Sequence, residues 1–193
     1  SIAYLNHGSF GARLRSVWEA QIQWREAFEA SPIEFLDRGR DGHLAAAKAP
    51  VGAYLGMDPD DFGFVCNASD GVNAVIRSLA FEGGDEILTT SHVYPAVLNT
   101  MQYLADRAGA TAHEVTIPLS TSPDDVVERV MAAVNERTRL VVLDHITSPT
   151  GLIYPIEEIV RRCDERGVDV LVDGAHAPGM IELDVPAIGA AYY

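Results

Sequence analysis

Short apolar runs that end in polar residues constrain the fold of this chain more than any other feature of its sequence. The run TRLVVLDHI at 138–146 is almost continuously hydrophobic, which is typical of a strand in a sheet covered on both faces. Further runs lie at 86–90, 110–117 and 168–173, and they alternate with segments of helical periodicity. Strands that alternate with helices predict right-handed crossovers and a mostly parallel sheet flanked by helices.

The helical segments can be placed from their apolar spacing and their start signals. Helices are predicted at 70–81, at 95–108, from Ser122 to about 135, and from Pro155 to Gly167. FGFVC at 62–66 predicts one more strand before the first of these helices. The first part of the chain differs, since an irregular arm, YLNHGSFGA, precedes helices at about 12–30 and 41–56. We therefore expect an N-terminal arm with helices at 1–57 and an α/β domain at 58–193.

Polar residues gather where the predicted strands end. The segments that follow the strands are NASDG at 67–71, SHVY at 91–94, DHITSPTG at 144–151 and DGAH at 173–176. In open parallel sheets, ligands bind beyond the carboxyl ends of the strands. The contrast between apolar strand interiors and these polar ends predicts a binding site at this rim.

Each segment has a plain structural interpretation beside a functional one. NASDG precedes a helix and offers amides and the Ser69 hydroxyl to an anion, although Ser69 could simply cap the helix. Tyr94 could lie against a flat ligand or could be a core aromatic. His145 and Ser148 could contact a ligand, but TSPTG is also an ordinary turn.

Asp173 is the sharpest of these signals. A carboxylate at the end of a buried strand is costly unless it is paired. It could cap the following turn, or it could pair with a protonated ring nitrogen. A phosphate anchor, an aromatic plate, hydroxyl and imidazole groups and this carboxylate together fit a phosphorylated heterocycle with a basic nitrogen. Pyridoxal 5′-phosphate (PLP) is such a molecule, and its protonated ring acts as an electron sink.

With these motifs in view, the chain resembles the fold-type I PLP enzymes, in the class V aminotransferase family, and within it the isopenicillin N epimerase-like branch. NHGSFG, DHITSPTG and VDGAHAPG carry the resemblance together with the segments around 65–79 and 84–100. The resemblance implies an α/β fold, the PLP-transferase large domain, with an N-terminal helical arm. The small C-terminal domain of that fold is expected to be absent from these residues.

The resemblance also implies a role for each matching residue. The phosphate would be bound at the start of a helix, the ring would be stacked and paired through its nitrogen, and the arm would line the substrate entrance. The implied cofactor contacts are Ala68, Ser69 and Asp70 for the phosphate, Tyr94 for ring stacking, Asp173 for the pyridine nitrogen, Ser148 near the phenolic oxygen and His176 at that edge. The implied catalytic residues are Asp173 and His176. The implied substrate contacts are Asn6 and His7.

The family also needs a lysine that binds the cofactor as a Schiff base. The only lysine of this chain is Lys48, which lies in a predicted helix before the phosphate loop. It is expected to be a surface residue and not to replace the family lysine, which the resemblance places shortly after residue 193. We therefore expect these residues to be the N-terminal half of a longer enzyme and to be inactive alone.

The implied activity is PLP-dependent chemistry at Cα or Cβ of an amino acid, through an external aldimine. Epimerase, transaminase and C–S lyase reactions all remain open. The alternatives are an inactive PLP-fold homologue, a small-molecule-binding α/β domain and a doubly wound nucleotide enzyme. A metal hydrolase would use Asp144, His145, Asp173 and His176, but we expect no metal site.

Composition narrows the partners and the compartment. A formal net charge of −14 argues against nucleic acid as a partner. Cys66 and Cys163 form no CxxC pair, which favours free thiols in a reducing compartment. No apolar run has the length of a membrane span, and no signal peptide is recognised. We expect a cytoplasmic protein without membrane contact, and the resemblance adds a homodimer.

Overall fold

A four-stranded, entirely parallel sheet forms the centre of the chain. The computed structural model describes residue 3 and residues 11–193. The strands are β1 (Glu86–Thr90), β2 (Thr111–Val115), β3 (Thr138–Asp144) and β4 (Asp169–Asp173), in the spatial order β2-β1-β3-β4. The predicted parallel sheet is therefore confirmed, and the four predicted strands in this region lie within two residues of their predicted ends.

Helices lie before the strands, between them and after the last one. They are α1 (Arg15–Ala30), α2 (Arg40–Leu55), α3 (Ala68–Ser78), α4 (Pro95–Ala108), α5 (Pro123–Ala133), α6 (Ile156–Asp164) and α7 (Val185–Ile188), with a π-helical turn at Glu34–Arg38 and a 3-10 turn at Pro59–Asp61. The chain divides into two compact units, Ser1–Tyr54 and Leu55–Tyr193. The expected division into 1–57 and 58–193 stays a prediction.

Local sequence signals set the helix ends in the second unit. The Ser122 hydroxyl accepts the amide of Asp125 at the start of α5, with Pro123 in the first turn. Helix α4 ends at Gly109, whose φ of 69° is a left-handed conformation that glycine adopts without strain. The bounds of α4 and α5 lie within two residues of the predicted ones, whereas α3 and α6 each end three residues before the predicted end.

Both faces of the sheet are covered, as the continuous apolar runs indicated. One core cluster joins β3 and β4 to α5 and α6, for example through Val141 and Ile159. The other joins the same strands to α3 and α4, and its strand residues include Leu140, Val142 and Leu171. Because strand side chains alternate, even positions of β3 and odd positions of β4 face α3 and α4. This alternation decides which strand-end residues share a face.

The predicted strand at 62–66 is wrong. These residues have no regular secondary structure, and the described residues give them no strand partner. Phe64 and Val65 are 52% and 58% exposed. An apolar run becomes a strand only where a neighbouring strand takes its backbone hydrogen bonds, and here no such neighbour is described. The segment instead leads into α3.

The first unit consists of helices with little buried surface. No described residue of α1 is buried, and Gly52 is the only buried residue of α2. Lys48 lies in α2, in the helix that was predicted for it, and its side chain is half-buried. Across the described part of the chain, no helix combines the length and the apolar character that a bilayer crossing requires.

Candidate functional site at the carboxyl ends of the strands

The strand order creates a crevice between the ends of β1 and β3. From β1 the chain crosses to β2 on one side, whereas from β3 it crosses to β4 on the other side. At such a topological switch point the two loops part, and ligands of open α/β sheets bind in the gap. Tyr94 follows β1 and Ser148 follows β3, so both predicted site residues lie at this end of the sheet, after neighbouring strands.

Asp144 and Asp173 are the last register pair of β3 and β4. Asp144 follows Leu140 and Val142 on alternate positions, and Asp173 follows Leu171 in the same way. Both carboxyl groups therefore point to the face covered by α3 and α4. From the sequence, Asp144 was considered only as a ligand in the metal-hydrolase alternative and not as a neighbour of Asp173.

Asp144 is the most perturbed acid of the site. It is 4% exposed, and its Oδ2 accepts the Ser148 amide at 3.4 Å. Its buried Oδ1 has no hydrogen-bond partner among the described residues. Burial, and next the charge of Asp173, raise the pKa of Asp144 to about 7, although the amides of Ser148 and Tyr94 oppose this rise. A second carboxylate at the end of a hydrophobic strand was the signal that could have revealed it.

Asp173 is 8% exposed, and its Oδ1 accepts the Ala175 amide at 3.0 Å. The turn-capping interpretation is therefore confirmed, and it is compatible with a second partner on the carboxylate. Tyr193 also lies here, because its hydroxyl is 3.0 Å from His145 Nδ1. Burial and the charge of Asp173 raise the pKa of Tyr193 to about 12. A Cβ on Gly174 would overlap the Tyr193 ring, so a larger residue at this position would require that ring to move.

A cavity of about 450 Å³ lies beside Asp173, and its lining also includes Ala68, Gly174 and Tyr193. This volume is in the usual range for small-molecule sites. The cavity reaches the first turn of α3, where the amides of a helix lack acceptors within the helix. The structure thus brings the predicted phosphate loop and the predicted ring-nitrogen partner to one space.

The cap of α3 is Asn67, so the prediction that Ser69 might cap it is wrong. Asn67 Oδ1 accepts the Asp70 amide at 2.8 Å, and Asn67 O accepts the Gly71 amide at 3.2 Å. The side chain of Asn67 stands one residue before the helix, where a cap must lie. The amides of Ala68 and Ser69 remain as donors at this end, whereas that of Asp70 is already used.

The other predicted residues are less constrained. Tyr94 is 41% exposed at the N-terminal end of α4, and Ser148 is exposed. His176 is half-buried, and no hydrogen bond of its side chain is found within the described residues. Asn6 and His7 lie outside the described residues. The cofactor roles of all these residues stay predictions.

His92, a buried histidine that was given no role from the sequence, is hydrogen-bonded to the loop after β3. His92 Nε2 is 2.6 Å from the carbonyl of Ile117, so this nitrogen carries the proton and Nδ1 accepts from the Thr150 hydroxyl at 3.0 Å. Thr150 is in turn 2.7 Å from the Thr147 hydroxyl, which accepts the Leu152 amide at 2.8 Å. These bonds hold the turn that carries Ser148.

The arrangement of these side chains does not support the metal-hydrolase alternative. Within the part of the chain that the structure describes, no group of three or more His, Cys, Asp or Glu side chains is placed to hold a metal ion. Burial lowers the pKa of His145, and its Nδ1 is within hydrogen-bond distance of the Tyr193 hydroxyl. The four residues of the metal-hydrolase alternative therefore do not form a ligand set.

Comparison with known families decides the assignment. The profile of the family described as Aminotransferase class-V matches residues 42–193. The chain belongs to this family. The resemblance drawn from NHGSFG, DHITSPTG and VDGAHAPG is thereby confirmed at the level of the class V family.

Curated relatives of the class V family cover the whole chain. Isopenicillin N epimerase of Amycolatopsis lactamdurans is 34% identical over 197 residues, which are 100% of this chain and 49% of that protein. L-cysteine desulfhydrase of Arabidopsis thaliana is 31% identical over 208 residues, which are 100% of this chain and 46% of that protein. The chain thus spans about half the length of the curated relatives it matches.

Solved structures show the same fold. A complex of the cystine C–S lyase C-DES with its product cysteine persulfide matches with a TM-score of 0.88 and 26% identity, over 97% of this chain and 51% of that chain. A variant of C-DES with glycine covalently linked to its PLP cofactor matches with a TM-score of 0.85 and 25% identity, over 97% of this chain and 50% of that one. The predicted fold type, the PLP-dependent fold-type I large domain, is therefore confirmed for the part of the fold that these residues form.

Proposed function

We propose that this chain binds PLP at the carboxyl ends of its strands and takes part in PLP-dependent chemistry on an amino acid. The observation that carries the proposal is the buried Asp173 carboxylate, which faces a cavity shared with the start of α3. Membership of the class V family and the PLP-bound neighbour support it. The cavity volume, the donor amides and the carboxylate fit a phosphorylated heterocycle with a basic nitrogen.

The residues of this chain would share the work of binding. The amides of Ala68 and Ser69, with the Ser69 hydroxyl, would hold the phosphate at the positive end of α3, and the role of Asp70 would be limited to its place in this turn. Tyr94 would cover the ring from the start of α4. Asp173 would hold a proton on the pyridine nitrogen, because an ionised carboxylate favours a cationic partner.

The remaining contacts would set the chemistry at the opposite edge. Ser148 would lie near the phenolic oxygen and His176 at the same edge, while Asn6 and His7 would line the substrate entrance. When bound, the cofactor supplies an electron sink that stabilises negative charge at Cα of an amino acid. We assign no residue of this chain as the Schiff-base lysine, since Lys48 lies in α2, before the phosphate loop, and the family resemblance places that lysine after residue 193.

The proposed reaction class covers epimerase, transaminase and C–S lyase chemistry. The relatives include an isopenicillin N epimerase, whose name indicates epimerase chemistry, and cysteine desulfhydrases, whose name indicates C–S lyase chemistry. An inactive homologue or a small-molecule-binding domain is the alternative, and it is favoured only by the absence of a second lysine from the sequence.

Pyridoxamine 5′-phosphate tests the proposal, because it uses the same contacts but needs no lysine. We expect it to bind the chain saturably, as measured from its own fluorescence, and pyridoxamine without phosphate to bind at least tenfold more weakly. Asp173→Asn and Ser69→Ala should each weaken binding. The matched controls are Asp169→Asn, at the exposed start of β4, and Ser78→Ala, at the far end of α3.

The outcomes separate the two candidate functions. Equal affinity for the two ligands, or equal effects of site and control variants, would refute the proposed site. Tight binding without turnover of any amino acid by the chain or by its longer parent would favour the inactive homologue. Release of sulfide from cysteine, or loss of optical activity of an amino acid, would identify lyase or epimerase chemistry.

We also propose that the protein is a homodimer. Apolar side chains of the first unit are exposed, among them Leu14, Val17 and Trp18 at 71%, 55% and 47%. A second copy would cover such a surface, as the family resemblance implies. Light scattering should then give twice the 20.9 kDa mass of the chain, and a monomer across the micromolar range would refute this.

Location in the cytoplasm and the absence of nucleic-acid partners are further parts of the proposal. Both cysteines are free, which suits a reducing compartment. The net charge of −14 opposes binding to a phosphate backbone.

A further inference from the structure

The site contains a second buried acid that the proposed cofactor contacts do not use. Asp144 and Asp173 end neighbouring parallel strands in register and point to the same face of the sheet. Neighbouring strands are roughly 4.8 Å apart, so the two carboxyl groups lie side by side. No ion pair is found for either acid within the described residues, so none of the side chains described there compensates the two negative charges.

We propose that Asp144 and Asp173 form a carboxyl pair that holds a single proton, with the proton on Asp144 and the negative charge on Asp173. Two carboxylates that share a site cannot both ionise without a large cost. The pair therefore titrates as one unit, with a net charge of −1 once Asp144 has taken up its proton below about pH 7.

The surroundings of the two acids decide which of them carries the proton. Asp173 borders the cavity and accepts the Ala175 amide at 3.0 Å, which stabilises its ionised form. Asp144 is more deeply buried, and the amides of Ser148, 3.4 Å from its Oδ2, and of Tyr94 do not offset the cost of burying its charge. Protonation would turn the unpartnered Oδ1 of Asp144 from a buried acceptor into a hydroxyl donor.

The other titratable groups around the pair do not supply a compensating charge. His145 follows Asp144, but burial lowers its pKa, so it is neutral at physiological pH. Tyr193 faces Asp173, and Tyr154 senses the charge of Asp144; the pKa of each is raised, so both are neutral phenols. The burial of Asp144 and the charge of Asp173 raise the pKa of Asp144 to about 7, in agreement with a held proton.

The pair gives Asp144 a defined role at the site. A protonated Asp144 leaves Asp173 as the one anion, ready to meet a cationic ring nitrogen, and this consequence rests on the proposed function. Asp144 would thus be a positioning residue that sets the charge state of Asp173 without touching the cofactor.

Carboxyl ¹³C NMR of the chain tests the pair without any cofactor. The resonances are assigned from Asp144→Asn and Asp173→Asn, and the wild type is titrated from pH 8 to pH 5. We expect Asp144 to take up one proton in this range while Asp173 keeps the chemical shift of a carboxylate. In Asp173→Asn the midpoint of Asp144 should fall by roughly one pH unit, because a like charge has been removed. Asp169→Asn should leave it unchanged.

Two results would overturn the proposal. One is a carboxylate shift for Asp144 throughout the range, and the other is an Asp144 midpoint that is the same in Asp173→Asn and Asp169→Asn. The wild-type titration decides the location of the proton even if Asp173→Asn fails to fold, which its amide spectrum would show. Failure of pyridoxamine 5′-phosphate to bind would refute the proposed function but would leave this measurement untouched.

Discussion

Replacing Asp144 with asparagine should change how the stability of the second unit depends on pH. The pKa of Asp144 is about 7 in the folded chain, against 3.8 for an ordinary aspartate. Because the folded state binds this proton more tightly, the contribution of Asp144 is most favourable below about pH 4. It is lost as the pH rises through 7. Asparagine keeps a neutral polar group of the same shape and does not titrate.

The size of the effect follows from the pKa difference. About three pH units at 1.36 kcal/mol each give roughly 4 kcal/mol in total, of which about 2.5 kcal/mol falls between pH 5 and pH 8. The side chain is 4% exposed, so solvent screening does not reduce this figure greatly. We therefore expect the free energy of unfolding of Asp144→Asn, relative to that of the wild type, to increase by about 2.5 kcal/mol when the pH rises from 5 to 8.

Urea unfolding at pH 5 and pH 8, followed by circular dichroism, measures this difference. Tryptophan fluorescence is unsuitable because Trp18 and Trp24 both lie in the first unit. Asp169→Asn is the control, since it removes an exposed acid from the same strand. If the stability difference between Asp144→Asn and the wild type were the same at both pH values, Asp144 would be ionised in the fold and the reasoning refuted.

Three further predictions concern reactivity and stability. Burial raises the pKa of the Cys163 thiol to about 11, so only the exposed Cys66 should react quickly with a thiol reagent, and both should react in denaturant. Ser122→Ala should lower the free energy of unfolding by about 1 kcal/mol, because the cap of α5 is lost. Ser120→Ala, the control, should leave the urea midpoint unchanged. Leu140→Ala should cost about 2–5 kcal/mol in the same assay, since the side chain is fully buried; a cost below about 1 kcal/mol would contradict the packing described.

Much of the fold could be read from local patterns. The continuous apolar run of β3 predicted a sheet covered on both faces, and Ser122 and Pro123 marked the start of α5 through backbone preferences that act within a few residues. The run at 62–66 was predicted wrongly because its outcome depends on a neighbouring strand, which no local pattern reports.

The order of the strands was beyond the sequence pattern, and it determines the site. Only the tertiary structure places β3 between β1 and β4, so that Tyr94 and Ser148 follow neighbouring strands and Asp144 is in register with Asp173. The sequence by itself determined which residues end each strand and, through its motifs, the class V family. The pairing of strands that are far apart along the chain decided which of those ends lie on the same face of the sheet. It also decided which acidic side chains are coupled, because electrostatic coupling depends on distance in space.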